Sequence, residues 1–378
     1  MLSLLRNINK IQYFDRNENI LNINKILYEF SGTDLASVRR VKIPSLEISE
    51  FPQKNLKLRH ILKSEQIIEA RVAPIEEVRN KIKCIQINLG DNNSILVNRE
   101  KEETLFTNVN YELKAKSFYL EGDMLVFSSD YQWIKHPDIL KCDLETHRDN
   151  INMSWNNALK LIQEKIDSNG NPVEKGLRPA QIGALYSLAA HRITETNSAM
   201  VVMPTGTGKT EVMLSNIVMQ RAKCVLILVP SDPLRDQIFN KLCTLGVLRE
   251  LGVLSKEAKL PIVGIIKSTP KDNKILQSLK LCNVVVSTVA MLSNMPDSLY
   301  KSFFDAFDVI YFDEAHHVPS NTWKNIYNTI SSKKTILFTA TPFRFDGRRI
   351  PGDIIFNFPL RLAQEQGYFK KIKFLEVN

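Results

Sequence analysis

The sequence predicts an α/β protein in which a parallel β-sheet, covered by helices on both faces, follows a smaller α+β or β-rich N-terminal unit. Two observations support this. In the second half of the chain, six continuous apolar runs alternate with segments of helical periodicity, which is typical of a buried parallel sheet. In the first half, shorter strand-like runs are separated by turn signals, which favours a small antiparallel sheet or barrel.

The strands of the predicted parallel sheet begin after residue 199. They are Met200–Met203, Cys224–Val229, Pro261–Lys267, Asn283–Ser287, Asp308–Phe312 and Lys334–Thr339. Ligands of open parallel sheets bind at the carboxyl ends of the strands. Polar residues that directly follow these runs are therefore candidate site residues.

Residues 1–150 are predicted to form a separate accessory domain. Residues 1–30, rich in Asn, Ile and Leu, predict a helix or a helical pair. The aromatic residues of this half are expected to pack in a core, with stacking on bases as the alternative use. The predicted strands are Ile82–Leu89, Ser94–Val97, Tyr111–Phe118 and Asp123–Ser128, and the aromatic residues are Tyr119, Phe127, Tyr131 and Trp133.

A helix is predicted over residues 154–166, from the spacing of its apolar residues. It opens the second predicted domain, residues 151–360. Residues 361–378 are predicted to begin a linker.

Composition indicates an ordinary soluble protein, with 44% apolar and 24% charged residues among 378. No apolar run approaches the ~18 residues of a membrane span, and the N-terminus lacks a secretory pattern. The five cysteines are widely spaced without a C-x-x-C pair, so neither a zinc site nor a disulfide framework is predicted. A cytoplasmic protein without a membrane partner is expected.

The charge of the chain is unevenly distributed. Residues 1–150 contain 22 basic and 22 acidic residues, so the whole net charge of +9 belongs to residues 151–378. A basic surface favours nucleic acid as a partner, because neutralising phosphates releases counterions. A solvated basic surface without a partner is the alternative.

The segment Met203–Thr210 predicts a phosphate-binding loop. It follows an apolar run, contains two alternating glycines and ends in Gly-Lys-Thr. Backbone N–H groups of such a loop bind polyphosphate, its lysine reaches the β- and γ-phosphates, and its threonine hydroxyl binds Mg²⁺. The general pattern requires glycine at position 203, where this chain has methionine. The candidate residues are Thr205, Gly206, Thr207, Gly208, Lys209 and Thr210.

An acidic pair follows the apolar run at residues 309–312. Asp313 is predicted to bind Mg²⁺ against the phosphates, and Glu314 to orient the attacking water and accept its proton. Asp-Glu pairs alone are common in solvated turns. This pair lies about a hundred residues after a Gly-Lys-Thr loop, which favours the catalytic interpretation.

These segments together resemble a known family. Residues 170–370 are similar to the first RecA-like domain of superfamily 2 helicases and translocases, the DEAD/DEAH-box group in its broad sense. The similarity is greatest to the branch that contains restriction-enzyme motor subunits. In that family the first position of the phosphate loop tolerates a residue other than glycine, which accounts for Met203.

The resemblance implies ATP and Mg²⁺ as cofactors. It also implies roles for residues outside the two phosphate-site motifs. The segment Leu177–Gln181 resembles the adenine-recognition element, with Gln181 and Arg178 as its candidates. Coupling of nucleotide state to domain movement is implied for His316, Thr339 and Thr341. A core histidine is an equal alternative for His316, and His317 is expected to be peripheral.

Nucleic-acid contacts are also implied by the resemblance, at two segments that come after strands. The candidates are Pro230, Arg235, Ser287 and Thr288. The segment Phe343–Gly347 resembles the residues after the Thr-Ala-Thr motif in the restriction-type branch.

The resemblance predicts an ATP-dependent helicase or translocase acting on nucleic acid, with DNA favoured. The alternative is a nucleic-acid-binding adaptor that uses ATP as a ligand or switch, without a motor cycle. Only 37 residues follow Thr341, so we expect the second RecA-like domain to act from outside this chain, as a further domain or as a subunit in trans. Because that domain supplies an arginine contributing about 10³–10⁵ in rate, slow hydrolysis is expected of this chain alone.

Overall fold

The computed structural model describes most of the chain. The described residues form two compact units, one within residues 1–47 and 62–142 and the other within residues 48–61 and 143–378. Each unit has its own buried apolar core. The described residues are 12–14, 20–22, 38–78, 81–90, 93–98, 110–128, 130–167, 172–194, 197–318, 320–330, 335–342 and 350–368.

The N-terminal part of the chain is rich in strands. A two-stranded antiparallel ribbon, β1 (Gln12–Phe14) and β2 (Ile20–Asn22), comes first. Ten more strands follow: β3 (Val38–Ile43), β4 (Leu46–Gln53), β5 (Leu56–Lys63), β6 (Gln66–Val78), β7 (Lys81–Gly90), β8 (Asn93–Asn98), β9 (Tyr111–Ala115), β10 (Phe118–Glu121), β11 (Met124–Phe127) and β12 (Tyr131–Lys135).

Eight of these strands form one mixed sheet in the order β10-β11-β3-β6-β7-β8-β9-β12. Its neighbours are antiparallel except for two parallel pairs, β11 with β3 and β8 with β9. Alternate residues such as Ile85 and Ile87 are fully buried, as expected when one face of a strand packs on a core. The prediction of a β-rich N-terminal unit is confirmed.

The second unit is built on a nine-stranded sheet in the order β21-β15-β20-β19-β16-β18-β17-β5-β4. All neighbours among its last seven strands in the chain are parallel, whereas β5 runs antiparallel to β17. A separate ribbon pairs β13 with β14. The strands are β13 (Lys165–Ile166), β14 (Pro172–Glu174), β15 (Ala199–Val202), β16 (Val225–Val229), β17 (Ile262–Ile266), β18 (Val284–Thr288), β19 (Val309–Phe312), β20 (Thr335–Thr339) and β21 (Asp353–Asn357).

The parallel strands form where the sequence is continuously apolar and β-branched. Every residue of the six strands from β15 to β20 is buried, so both faces of the sheet are covered. The predicted α/β fold with a RecA-like parallel sheet is confirmed. Strand β21 and the hairpin β4-β5 lie at the two ends of the sheet and were not predicted, because each of these strands buries only part of its residues and lacks a continuous apolar run.

Helices connect these strands. They are α1 (Pro137–Leu140), α2 (Leu144–Ser154), α3 (Pro179–Thr194), α4 (Lys209–Gln220), α5 (Asp232–Thr244), α6 (Lys274–Leu279), α7 (Val289–Leu292), α8 (Asp297–Asp305), α9 (Asn321–Thr329) and α10 (Leu360–Glu365), with a short 3₁₀ helix at Ala315–His317. None of the helices described here combines the length and apolar character needed to cross a bilayer.

The predicted helix over residues 154–166 is wrong. Helix α2 precedes it, and its N-terminus is capped by the Asp143 carboxylate, which accepts from Thr146 N. After α2 the chain continues in turns and isolated bridges, because Trp155 is buried with its indole donating to Lys259 O at 2.9 Å. Within the predicted helical segment 1–30, the structure describes only β1 and β2, and the rest lies outside the described residues.

Candidate functional site

The two phosphate-site motifs meet at the carboxyl edge of the parallel sheet. Strand β15 leads into the loop at Met203, β19 ends before Asp313, and β20 lies between them in the sheet. Met203 N donates to Thr339 O at 3.0 Å, so the β15–β20 pairing continues to the start of the loop. Parallel pairing therefore brings together segments more than a hundred residues apart in the chain.

The loop before α4 has the backbone conformation of a phosphate cradle. Gly206 and Gly208 have φ of 85° and 92°, a left-handed region that L-residues rarely adopt. The Thr207 hydroxyl donates to Pro204 O at 2.6 Å and closes the turn. Lys209 is the first residue of α4, so N–H groups of the loop and of the helix N-terminus are available to an anion.

The predicted adenine element is attached to this loop. The Gln181 side-chain oxygen accepts from Arg178 N at 2.8 Å, and its amide donates to Gly208 O at 3.3 Å. Arg178 donates through Nη1 to Gly206 O at 3.0 Å. A Cβ on Gly208 would lie 1.9 Å from Gln181 Nε2, so any other residue at this position would displace the Gln181 amide and would have to adopt a left-handed backbone. Recognition of adenine by Gln181 stays a prediction, since its amide bonds to backbone here.

Lys209 and Glu314 form an ion pair with 3.0 Å between Nζ and Oε1. The Lys209 side chain is 8% exposed and that of Glu314 is 21% exposed. Glu314 has a left-handed backbone, with φ of 53°, which is uncommon for a residue with a side chain. His316 Nδ1 lies 3.4 Å from the other oxygen of Glu314. Strained backbone at a polar site is often functional.

Asp313 is buried beside this ion pair. Burial raises the pKa of its carboxyl to about 6, Lys209 acts to lower it, and Glu314 acts to raise it further. Asp313 Oδ1 accepts from Glu314 N at 3.0 Å. A desolvated carboxylate is strongly stabilised by a cation, as expected for a metal ligand.

A cavity of about 550 Å³ opens at this edge of the sheet, a volume in the usual range for small-molecule and cofactor sites. Its walls include the predicted Arg178, Gln181, Thr205, Gly206, Gly208, Lys209, Thr210, Asp313 and Glu314. Thr207 is absent from the lining because its side chain is buried in the turn. The remaining lining residues were not predicted for this site: Glu164, Gly176, Glu211, Leu234, Gln237, Lys241, Val247 and Leu251. Leu234 and Gln237 belong to the segment after β16 for which the resemblance implies nucleic-acid contacts.

The predicted coupling residues lie next to the acidic pair. The Thr339 hydroxyl is buried, lies 3.4 Å from His316 Nδ1 and bonds the Thr341 backbone, donating to its O and accepting from its N at 3.1 Å. This arrangement joins the end of β20 to the 3₁₀ helix after Asp313. The His317 ring lies between His316 and Trp323, with centroid distances of 4.3 and 5.6 Å.

The predicted nucleic-acid contacts are mostly buried. Arg235 makes ion pairs with Asp232 at 2.7 Å and Asp236 at 3.0 Å, and its side chain is 6% exposed. Ser287 and Thr288 are also buried, whereas Pro230 is half-buried. Their contact with nucleic acid stays a prediction. The segment Phe343–Gly347 lies outside the described residues.

Part of the chain is similar to a known protein family. Residues 174–344 match the family described as "Type III restriction enzyme, res subunit", which is somewhat less than half of the chain. No curated protein matches the sequence significantly.

Several solved structures are similar at low identity. A nuclease-deletion mutant of the Type ISP restriction-modification enzyme LlaGI, with a DNA substrate mimic, has 20% identity and a TM-score of 0.35 over 51% of this chain. The Hef helicase domain of Pyrococcus furiosus has 23% identity and a TM-score of 0.31 over 42%, and the UvsW helicase of bacteriophage T4 has 14% and 0.31 over 52%. This chain covers 21%, 33% and 60% of those three chains.

The family match spans the predicted adenine element, the phosphate loop, the acidic pair and the Thr-Ala-Thr segment. The first three of these segments line the cavity, and the Thr-Ala-Thr segment lies beside the acidic pair through the contact of Thr339 with His316. Residues 174–344 are therefore similar to the family described as "Type III restriction enzyme, res subunit".

Proposed function

We propose that this chain binds ATP with Mg²⁺ in the cavity at the edge of the parallel sheet, as part of an ATP-dependent helicase or translocase that moves on DNA. The observation that carries the proposal is the 3.0 Å ion pair between Lys209 and Glu314. It places the cation of a Gly-Lys-Thr loop against the candidate general base, inside a cavity large enough for a nucleotide.

The residues present fit a bound nucleotide and its metal. The loop backbone is held in the open, left-handed form at Gly206 and Gly208, where a Cβ on Gly208 would collide with Gln181. Thr210 and Asp313 are the oxygen donors that would hold Mg²⁺, which prefers one or two protein oxygens plus substrate phosphates. The ion, when bound, neutralises charge on the β- and γ-phosphates.

Glu314 has two partners that prepare it for proton transfer. Lys209 binds one carboxylate oxygen, and His316 lies near the other. Phosphate groups attract the same lysine, so nucleotide binding is expected to separate Lys209 from Glu314. The released carboxylate then orients a water molecule and accepts its proton.

Nucleic acid is proposed as the partner because the net charge of +9 lies entirely in residues 151–378. Such a charge attracts phosphate backbones of either kind. We propose DNA rather than RNA because of the resemblance to restriction-type motors. The titration described next distinguishes the two.

The test is to titrate labelled single- and double-stranded DNA and RNA with the full chain, with and without Mg²⁺ and ATP. A motor site coupled to its track predicts a DNA affinity that changes with ATP. Tighter binding to RNA than to DNA would identify RNA as the nucleic acid on which the motor acts. A nucleic-acid affinity that is the same with and without ATP would contradict the motor function. It would favour the alternative, a nucleic-acid-binding adaptor without a motor cycle.

A further inference from the structure

Tyr368 and Arg178 form a stacked pair at the edge of the phosphate loop. The Arg178 guanidinium lies over the Tyr368 ring, with 4.6 Å between Cζ and the ring centroid. The Tyr368 hydroxyl donates to Glu164 Oε1 at 2.7 Å. Arg178 also donates to Gly206 O at 3.0 Å. A residue three positions after α10 is thus connected through one side chain to the loop that would bind phosphate.

The geometry suits a planar cation. A guanidinium that lies flat on a ring keeps its N–H groups in its own plane, where they can donate sideways to a carbonyl. A free arginine side chain samples many rotamers, so stacking reduces the freedom lost when the bond to Gly206 forms.

The position of Tyr368 is itself well determined. Its N–H donates to Ala363 O at 2.9 Å. Burial, followed by the bond to Glu164, raises the pKa of the phenol to about 12, so it stays a neutral donor. Glu164 is held in turn, because its backbone N–H donates to Leu177 O at 2.9 Å.

We infer that Tyr368 is a positioning residue for the phosphate loop: its ring holds Arg178 in the rotamer that restrains the Gly206 carbonyl. Gly206 has φ of 85°, and this carbonyl fixes the orientation of the peptide that leads to the cradle. The loop is thereby arranged for a polyphosphate before one binds. The inference rests on the proposed nucleotide site and adds a residue outside residues 174–344, the segment that matches the family.

The test compares two ligands, Mg²⁺–ATP and Mg²⁺–tripolyphosphate, by calorimetry on the full chain. Cation–π pairs at exposed sites contribute about 0.5–1 kcal/mol, so Tyr368→Ala should weaken both ligands by about two- to fivefold. Tyr368→Phe retains the ring and should bind like wild type. Tyr186→Ala, at an exposed tyrosine on α3, is the matched control and should change neither affinity.

A double-mutant cycle shows whether Tyr368 acts through Arg178. The double variant Arg178→Ala/Tyr368→Ala should bind both ligands no more weakly than Arg178→Ala. Additive losses would overturn the inference, as would an unchanged affinity of Tyr368→Ala. A loss of affinity for ATP alone, with an unchanged affinity for tripolyphosphate, would also overturn the inference. Tyr368 would then act on the adenine base rather than on the phosphate loop.

A second variant distinguishes a folding defect from the loss of Arg178 positioning. Tyr368→Leu keeps apolar bulk and lacks the ring, so it should fold like wild type by urea denaturation and bind like Tyr368→Ala. Wild-type affinity from Tyr368→Leu would overturn the inference. If the wild-type chain binds neither ligand, the proposed nucleotide site itself fails. If wild type binds and the cycle is additive, only the role of Tyr368 fails.

Discussion

The ammonium group of Lys209 lies 3.0 Å from Oε1 of Glu314, a residue 105 positions later in the chain. Each comes directly from the end of a secondary-structure element, Lys209 at the start of α4 and Glu314 just after β19. Their contact joins a loop that would bind phosphate to an acidic pair that would activate water. The side chains around this contact can each be tested by substitution.

Replacing Lys209 by alanine is expected to weaken ATP binding by about 10- to 100-fold, because hydrogen bonds to charged groups contribute about 1.5–3 kcal/mol. The measurement is a calorimetric titration with Mg²⁺–ATP. Lys271→Ala, at an exposed lysine, is the control and should bind like wild type. Equal affinities of the two variants would remove Lys209 from the site.

Replacing Glu314 by glutamine should leave ATP binding intact and slow hydrolysis. General bases contribute about 10²–10⁴ in rate, so single-turnover phosphate release should fall by about that factor. Glutamine keeps the shape of the side chain and cannot accept the proton. A rate indistinguishable from wild type would show that another group acts as the base.

Gly208→Ala tests whether the phosphate loop needs glycine at this position. Gly252→Ala is the control, because it introduces the same left-handed backbone strain without a contact between the new Cβ and a neighbour. Both glycines have positive φ, 92° and 72°, but nothing lies within 4 Å of a Cβ on Gly252. Gly252→Ala should therefore cost only the left-handed strain of about 1–2 kcal/mol in free energy of unfolding. Gly208→Ala should cost more, because its Cβ displaces the Gln181 amide.

Nucleotide affinity distinguishes the same two variants. Gly208→Ala should lose ATP affinity, while Gly252→Ala should retain it. Urea denaturation and ATP titration provide the two measurements. Equal effects of the two variants on affinity would contradict the steric role of Gly208.

Asp313 predicts a pH dependence of stability. Burial raises the pKa of its carboxyl from 3.8 to about 6, so the folded chain holds a proton on this group that the unfolded chain releases between about pH 4 and 6. Its contribution to stability is therefore lost as pH rises through that window. Two pKa units correspond to about 3 kcal/mol.

Asp313→Asn removes the free-energy cost of ionising this buried carboxyl. The free energy of unfolding of the variant, relative to wild type, should increase between about pH 4 and pH 6 and level off above, as measured by urea denaturation. Mg²⁺–ATP affinity of wild type should fall below pH 6, because a protonated carboxyl is a poor metal ligand. A stability difference that stays constant with pH would contradict this account.

Much of the second unit could be predicted from short stretches of sequence. The strands from β15 to β20 are continuous apolar runs, the pattern typical of buried parallel strands. Gly206, Gly208 and Lys209 were identified from the loop itself, because the chemistry of phosphate binding needs those residue types at that spacing. The family match over residues 174–344 agrees with the resemblance that these motifs carry.

Other features depend on distant contacts that leave no local pattern. The hairpin β4-β5 joins the sheet of the second unit although it lies among the strands of the first half of the chain. Trp155 looks helical by spacing, yet it lies in a turn, its indole bonded to Lys259 O. Arg235 resembles a surface contact by motif, yet two ion pairs hold it in the interior.

The sequence by itself determined the parallel sheet, the phosphate loop and the acidic pair, because each depends on residue types within a few neighbouring positions. Only the tertiary structure decided how these parts meet. It set the pairing of Lys209 with Glu314, the burial that raises the pKa of Asp313 and the stacking of Tyr368 on Arg178. Such contacts join residues far apart in the chain, and their energies come from burial and geometry, which no local stretch of sequence contains.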